Sequence, residues 1–445
     1  MILQQEPICA LATAPGIGAI AVIRISGENA IQIVDKVFKG KRLEKAKSHT
    51  LHFGTIQKGE AIVDEVLSAV FFSPKSFTKE DTVEISCHGS PFIIKETLKL
   101  LVQNGARLAK PGEFTQRAFL NGQFDLVQAE AVADLIEADS SASHQLAINQ
   151  LRGGFSQQLV SLRDELIHFA SMVELELDFG EEDVEFANRD DLKKLISDIQ
   201  SQLEPLIDSF DAGNVIKEGI PVAIIGQPNV GKSTLLNALL KEDKAIVTDI
   251  AGTTRDSIED TMVLKGIKYR FIDTAGIRST TDKVESIGIE KSKSVLDKSA
   301  IVFFLYDTDE ERAYLKLNFE HQTLDKKVIW IKTKSDLNAQ KADINDLLLS
   351  AKDGTGITEL EEILFQAASN QHQGDTILTN LRHFDLLVKT NDALKEVLGG
   401  LELGITGDFL AQDIRLSLHH LGELTGTITS DDLLKNIFGR FCIGK

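Results

Sequence analysis

A glycine-rich segment in the middle of the chain constrains the fold more than any other feature. An apolar run at Val222–Gly226 leads into the segment Gly226–Ser233, GQPNVGKS, and residues with helical character follow at Thr234–Leu240. This is the strand–loop–helix context that a phosphate-binding P-loop requires. The glycines let successive backbone N–H groups face a phosphate, and the helix N-terminus adds its positive end. The sequence therefore predicts a parallel α/β domain built around this loop.

The residues of the loop predict how a nucleotide would be held. We expect Lys232 to bridge the β- and γ-phosphates and the Ser233 hydroxyl to ligate Mg²⁺. The residues expected to touch the nucleotide here are Asn229, Val230, Gly231, Lys232, Ser233 and Thr234. A P-loop alone does not distinguish ATP from GTP, so the choice depends on the following segments.

Two of those segments indicate a magnesium site and a γ-phosphate sensor. Asp273-Thr274-Ala275-Gly276 follows a predicted strand at Tyr269–Ile272. Its aspartate can hold the magnesium water shell, and the Gly276 N–H can contact a γ-phosphate. A hydroxyl of the pair Thr253-Thr254 can complete the magnesium shell when GTP is bound, and we assign this to Thr254. Such contacts produce the order–disorder switch of a GTPase.

Two further segments predict guanine specificity. Thr333-Lys334-Ser335-Asp336 follows a predicted strand at Lys327–Lys332. The Asp336 carboxylate can accept from guanine N1–H and from the exocyclic amine, a pair that adenine lacks. We expect the stem of Lys334 to cover the base. Ser350-Ala351-Lys352 fits the loop that closes over guanine O6, so the order of segments predicts GTP.

The chain departs from the usual Ras-like pattern at two positions. Thr333 stands where asparagine is usual, so we expect a contact to the base or to the P-loop to be lost and nucleotide binding to weaken. Ile277 stands where many such enzymes have a glutamine that orients the attacking water. Arg255, Arg278 and Glu285 are candidates for that role, and the alternative for each is a solvated surface charge.

The remaining sequence predicts two further kinds of domain. Residues 1–118 have strand-like runs and short helical runs, which indicates an α+β domain. Residues 119–213 and 375–445 have apolar residues at helical spacing and indicate one helical domain. We therefore predict a Ras-like G domain at 214–374 inserted into that helical domain. The predicted helices of the helical domain are Asp125–Leu151, Phe155–Phe179, Asp190–Phe210, Leu381–Leu403, Phe409–Leu424 and Ser430–Phe438.

Charge and composition limit the setting and the partners. The chain has 445 residues, a formal net charge of −19 and three cysteines. The cysteines are far apart, and we find no signal peptide and no apolar run near the ~20 residues that span a bilayer, so we expect a cytoplasmic protein without a membrane partner. The negative charge implies that nucleic acid is not a partner or that a second protein supplies much of the positive surface.

Several motifs outside the P-loop resemble the MnmE (TrmE) family of the TrmE–Era–EngA group of GTPases. The resemblance covers essentially the whole chain. The motifs that carry it are Thr248–Asp256, Asp273–Gly276, Ala14–Gly16, Ile20–Gly27, Asp81–Glu84, His88-Gly89, Pro111–Asn121, Thr429–Leu434 and Phe441–Lys445.

The resemblance implies a function in tRNA modification. With the FAD-containing MnmG protein, in a heterotetramer, the family adds an aminomethyl or carboxymethylaminomethyl group to C5 of the wobble uridine of certain tRNAs. The N-terminal domain forms a homodimer and binds a one-carbon tetrahydrofolate, 5-formyl- or 5,10-methylene-tetrahydrofolate. Potassium drives the approach of two G domains when GTP is bound.

The resemblance also implies roles for individual residues. Potassium is held by Asn229 with backbone oxygens of Thr248, Ile250 and Thr253, and Glu285 helps to position the attacking water. Folate is held by Arg24, Glu84 and Lys445, and a family lysine falls on Gln123. Cys442 is a candidate for chemistry or positioning, or is a small packed residue. The nucleotide-contacting switch residues are Thr248, Asp249, Ile250, Ala251, Gly252, Thr253 and Thr254.

Two other functions remain open from the sequence. A ribosome-assembly GTPase would need a basic RNA-binding appendage, and we find none in the sequence. A purely regulatory switch would use the nucleotide cycle only to control another protein, which is compatible with tRNA modification.

Overall fold

The structure, a computed structural model, contains two compact units. It describes residues 6–178, 188–242, 259–272, 292–324, 326–336, 346–369, 377–403, 405 and 407–444. One unit comprises Met1–Ala133, Gln150–Ala187 and Gly404–Lys445, and the other comprises Asp134–Asn149 and Asn188–Leu403. Because these units do not coincide with the predicted domains, the boundaries 1–118, 119–213 with 375–445, and 214–374 stay predictions.

The N-terminal part of the chain forms a seven-stranded sheet of order β3-β4-β5-β6-β2-β1-β7. All neighbours are antiparallel except β1 and β7. The short strands β3 and β7 were not predicted. The elements are β1 Ile8–Leu11, β2 Gly18–Ser26, α1 Ala30–Val37, β3 Phe38–Gly40, β4 Thr50–Lys58, β5 Ala61–Phe71, β6 Thr82–Gly89, α2 Pro91–Gln103, β7 Arg107–Leu108 and α3 Glu113–Leu120.

Alternation along the central strands separates the two faces of this sheet. Val83, Ile85 and Cys87 of β6 are buried against α1 and α2. Glu84 and His88 alternate with them and therefore point to the opposite face. One face thus builds the core, while the other presents polar and exposed apolar side chains.

Helices follow the sheet along the chain, and one prediction about them is wrong. The predicted single helix Asp125–Leu151 is two helices, because Ser140 begins a new one: its hydroxyl accepts from the Ser143 N–H at 3.1 Å, as an N-cap residue does. The helices are α4 Leu126–Glu137, α5 Ser141–Leu151, α6 Gly154–Asp178, α7 Arg189–Asp208 and α8 Phe210–Glu218.

The middle of the chain forms the predicted α/β domain. Its sheet has the order β13-β12-β11-β8-β10-β9, and all strand pairs are parallel except β9 with β10. Apolar clusters cover both faces of the sheet, as a parallel sheet requires. The elements are β8 Ile220–Gly226, α9 Lys232–Glu242, β9 Asp260–Leu264, β10 Ile267–Phe271, β11 Ile301–Tyr306, α10 Asp309–Phe319, β12 Lys327–Lys332, β13 Leu347–Leu348 and α11 Ile357–Ser369.

The C-terminal part of the chain is helical, as predicted. Within one unit, α13 packs along α6; within the other, α12 packs along α7. Among the described residues, no helix is both long and apolar enough to cross a membrane. These last helices are α12 Leu381–Leu403, α13 Gly407–Thr425 and α14 Asp431–Phe438.

Candidate nucleotide and ligand sites

The P-loop lies at the carboxyl end of β8 and turns directly into α9. Asn229 and Gly231 adopt positive φ angles of 61° and 107°, which turn the backbone of the loop. Gly226 lies so close to β11 that an added Cβ would lie 2.6 Å from the Leu305 carbonyl oxygen. Val230 is buried beneath the loop, whereas Asn229 and Thr234 are exposed. The loop therefore has a fixed underside and an open upper side at the carboxyl ends of the strands, where ligands of α/β proteins bind.

Lys232 is held inside the loop. Its ammonium donates to the Gly226 carbonyl at 2.8 Å and to the Gln227 carbonyl at 2.9 Å. Burial lowers the pKa of Lys232, and the charge of Glu311 opposes this effect. A phosphate that came within reach of this ammonium would stabilise its charged form. Ser233 follows at the first turn of α9, and its side chain is half-buried.

Thr333 joins the P-loop to the base-binding segment. Its hydroxyl donates to the Val230 carbonyl at 2.8 Å and lies 3.3 Å from the Tyr306 carbonyl, in a buried position. Its backbone N–H also donates to the Tyr306 carbonyl at 2.8 Å. Of the two contacts that threonine was expected to lose, the one to the P-loop is therefore present, because the hydroxyl reaches the loop's backbone. The loss of a contact to the base, and the weaker nucleotide binding expected from it, stay predictions.

Lys334 has a partner that the sequence argument missed. Its ammonium pairs with Asp307 Oδ2 at 2.9 Å, and its backbone has a φ of 56°. Asp307 follows directly after β11, and its backbone N–H donates to Glu311 at 2.8 Å. The position of Asp307 at the end of a buried parallel strand was the signal available in the sequence. The ion pair fixes the direction of the lysine stem that we expect to cover the base.

Asp336 and the segment after β13 lie together in the structure. The Ser350 hydroxyl donates to Asp336 Oδ1 at 3.1 Å, and the Ser335 N–H donates to the Leu349 carbonyl at 3.3 Å. Ser350 is buried, while Asp336 and Lys352 are exposed and Ala351 is half-buried. The carboxylate is thus anchored on one oxygen at an accessible edge, an arrangement that suits a donor pair from a guanine.

A second part of the predicted nucleotide site lies outside the described residues. The predictions affected concern the magnesium ligand, the potassium ligands, the switch residues and the water-positioning candidates. These residues are Thr248, Asp249, Ile250, Ala251, Gly252, Thr253, Thr254, Arg255, Asp273, Thr274, Ala275, Gly276, Ile277, Arg278 and Glu285.

Two of the predicted folate residues form a pair on the N-terminal sheet. Arg24 and Glu84 are direct neighbours on β2 and β6, and Arg24 Nη2 lies 2.8 Å from Glu84 Oε1. The guanidinium carbon lies 5.3 Å from the centre of the Phe77 ring and 5.6 Å from that of Phe114. Sequence reasoning missed both phenylalanines, because neither stands near Arg24 in the chain. Together the four residues form a charged pair with aromatic walls.

The C-terminal tail returns to the same unit. The Gly112 N–H donates to the Cys442 carbonyl at 3.4 Å. Gly444 lies against the Leu11 carbonyl at the end of β1, the strand that pairs with the Arg24 segment. Cys442 is exposed, so the interpretation of it as a packed residue is wrong.

The other two folate predictions have less structural support. Gln123 is exposed, and its backbone N–H donates to the Ala118 carbonyl at 2.8 Å. Lys445 lies outside the described residues.

Known protein families and individual relatives match this chain over nearly its whole length. Residues 7–123 match the family described as GTP-binding protein TrmE N-terminus, and residues 126–442 match the family described as MnmE helical domain. A Cytophaga hutchinsonii protein named tRNA modification GTPase MnmE is 53% identical, covering 99% of this chain and 98% of that one. A Christiangramia forsetii protein of the same name is 51% identical and covers 99% of each. Among solved structures, the T. maritima FeoB G domain is 25% identical and covers 34% of this chain and 98% of that one, with a TM-score of 0.25.

Proposed function

Because this chain belongs to the MnmE family of tRNA modification GTPases, we propose that it is a potassium-activated member that acts on the wobble uridine. With the flavoprotein MnmG it adds an aminomethyl or carboxymethylaminomethyl group to C5, using a one-carbon unit of tetrahydrofolate. The observation that carries the proposal is the joining of the three nucleotide segments through Thr333 and Ser350. We further propose that GTP hydrolysis controls this reaction and does not itself perform the chemistry at C5.

Guanine selection is assigned to Asp336. One carboxylate oxygen accepts from Ser350, which leaves the group oriented toward the exposed side of the site. Asp336→Asn replaces one acceptor by a donor and should favour xanthosine over guanosine nucleotides. The measurement is a competition of GTP, ATP and XTP for a fluorescent nucleotide. Unchanged preference for GTP in the variant would remove this assignment.

Potassium activation is assigned to Asn229. This residue is exposed in the P-loop, and its positive φ of 61° places it at a sharp turn of the backbone. A cation beside the phosphates would stabilise the negative charge that develops during hydrolysis. GTP hydrolysis should be much faster in K⁺ than in Na⁺ at equal ionic strength, and Asn229→Ala should remove the difference. Equal rates in the two salts for the unaltered protein would contradict the potassium mechanism.

Folate binding is assigned to the surroundings of Arg24. Both of its contacts fall on Glu84 Oε1, at 2.8 and 2.9 Å, and no described residue donates to Oε2. The free oxygen can accept from a pterin, while Phe77 supplies an aromatic face. Calorimetry with 5-formyl-tetrahydrofolate should show binding that Glu84→Gln weakens, and Glu96→Gln on α2 serves as the control. Equal affinities for the two variants would place the site elsewhere.

A homodimer through the N-terminal domain is supported by its outer sheet face. Phe53 and Leu67 are cross-strand neighbours with exposed fractions of 66% and 41%, and Ile20 on β2 is 68% exposed. Large exposed apolar residues on one part of a sheet, such as the neighbours Phe53 and Leu67, mark interaction surfaces. Sedimentation should give a dimer that Phe53→Glu converts to monomer. Phe92→Glu on α2, which is 68% exposed in the unaltered protein, is the matched control, and monomerisation by both would discount this face.

The partnership with MnmG and the cytoplasmic location rest on family membership. We propose a heterotetramer of two copies of this chain with two of MnmG, acting on tRNA. Co-purification from the cytosolic fraction followed by light scattering should give that stoichiometry. A stable complex of different composition would contradict it.

A further inference from the structure

A basic segment at the edge of the N-terminal sheet contrasts with the acidity of the chain. Between residues 36 and 47 there are six basic residues and one acidic residue, in a chain of net charge −19. All six basic side chains are exposed. We call this set the basic edge; its members are Lys36, Lys39, Lys41, Arg42, Lys45 and Lys47.

The five lysines of the basic edge lack acidic partners. None of them lies within 4.0 Å of a carboxylate of a described residue, whereas Arg42 is neutralised by Asp35 at 4.0 Å and Glu44 at 3.0 Å. Elsewhere in the structure exposed lysines are often paired along a helix, as Lys389 is with Asp385 at 2.7 Å. The basic edge is therefore a local concentration of positive charge.

The backbone that displays these lysines is held in a fixed shape. Both carboxylate oxygens of Asp35 accept backbone N–H groups across the turn, from Leu43 at 2.7 Å and from Glu44 at 3.0 Å. Leu43 and Phe38 are buried and anchor the segment on the core. A pre-formed surface loses less conformational entropy when it binds a ligand than a flexible tail does.

Local charge decides whether a polyanion binds such a surface. At physiological salt the screening length is about 8 Å, so charges elsewhere on the chain are largely screened at the basic edge. Protection of the edge strand β3 against other sheets is the alternative, but one or two charges suffice for that purpose. Exposed lysines without acidic partners suit a phosphate backbone, to which ammonium groups bind as point charges.

We infer that the basic edge binds the phosphate backbone of tRNA directly, so that the chain contributes its own positive surface in addition to any partner protein. The contacts are sequence-independent and position the RNA rather than select it. The inference rests on the proposed function for the identity of the RNA, and it goes beyond that function because it concerns how the substrate is held and not what is done to it.

The test is binding of fluorescently labelled tRNA to the full-length protein over a range of KCl concentrations. Lys39→Gln, Lys41→Gln and Lys45→Gln are combined in one variant. We expect it to bind at least about tenfold more weakly at low salt, with a slope of log K against log[KCl] smaller by about 3. Thermal unfolding midpoints of the variant should match those of the unaltered protein.

A charge-matched control separates the basic edge from net charge. It combines Lys316→Gln, Lys389→Gln and Lys395→Gln, three exposed lysines that are each paired with an acidic residue three or four positions away in the chain. The control should bind tRNA within about twofold of the unaltered protein, since its lysines lie outside the basic edge.

Four results would overturn the inference. The first is that the control loses as much tRNA binding as the basic-edge variant, and the second is that the unaltered full-length chain shows no measurable tRNA binding. The third is that the basic-edge variant aggregates while its soluble fraction binds tRNA as the unaltered protein does. The fourth is that the basic-edge variant keeps its tRNA binding and, in a parallel assay, loses binding to phosphatidylglycerol vesicles. Wobble-nucleoside profiles are measured separately, so failure of this inference leaves the assigned modification reaction intact.

Discussion

Thr333→Val is a minimal change at the junction between the P-loop and the base-binding segment. Valine has nearly the shape of threonine but lacks the hydroxyl that donates to the Val230 carbonyl at 2.8 Å. The backbone N–H of residue 333 would still donate to the Tyr306 carbonyl. The substitution therefore removes one buried donor and leaves the buried carbonyl of Val230 without it.

The expected cost follows from that unsatisfied carbonyl. Leaving a buried polar group without a partner costs about 1–3 kcal/mol. If this free energy destabilises the nucleotide-binding conformation of the P-loop, affinity for the nucleotide decreases by about tenfold for each 1.4 kcal/mol. We expect GDP affinity to fall by roughly 5- to 150-fold. Thr333→Ser keeps the hydroxyl and should stay within about threefold of the unaltered protein.

The assay is stopped-flow measurement of fluorescent GDP binding and release, together with thermal unfolding. A faster release rate for the valine variant, with little change in the serine variant, supports the role of the hydroxyl. Valine and serine variants that both bind like the unaltered protein would refute the argument. A large fall in the unfolding midpoint without a change in release would show that the hydroxyl stabilises only the fold.

Three further outcomes follow from contacts in the two units. Gly226→Ala should abolish nucleotide binding in a filter assay, because an added Cβ would lie 2.6 Å from a β11 carbonyl oxygen. Asp307→Asn should weaken GTP binding by about three- to tenfold, since it removes the ion pair that directs Lys334. Burial raises the pKa of Glu113, but the hydrogen bond and charge of Arg107 and the other donors outweigh it and hold that pKa below its usual 4.5. The charged form therefore stabilises the fold above pH 4.5, and this effect is lost as the pH falls through the lowered pKa of Glu113. Glu113→Gln should lower the unfolding midpoint at pH 7 and have a progressively smaller effect as the pH is lowered below 4.5.

The sequence was most informative where residue order and chemistry coincide. The P-loop and Asp336 could be placed because each follows a predicted buried strand, and parallel strands bring their carboxyl ends together. Ser350 was placed from its order in the chain after Asp336, since the short strand β13 before it was not predicted. Prediction of the helices was uneven: α12 was predicted with its observed bounds, whereas α11 was not identified. The fold class could be predicted, but the partition of the chain into compact units could not.

Contacts between distant segments account for most of what sequence reasoning missed. Nothing near Thr333 in the chain reveals that its hydroxyl reaches Val230, which lies about a hundred residues earlier. Phe77 and Phe114 surround Arg24 only after the sheet has formed. The break between α4 and α5 could have been predicted from the sequence, because a serine such as Ser140 is a preferred residue at the start of a helix.

The wobble uridine itself provides the most direct test of the assigned function. Mass spectrometry of tRNA nucleosides from a strain lacking the gene should show loss of the aminomethyl and carboxymethylaminomethyl groups at C5. The unaltered chain should restore them, and a Lys232→Ala variant, which lacks the P-loop ammonium, should not. An unchanged nucleoside profile in the strain lacking the gene would contradict the assignment.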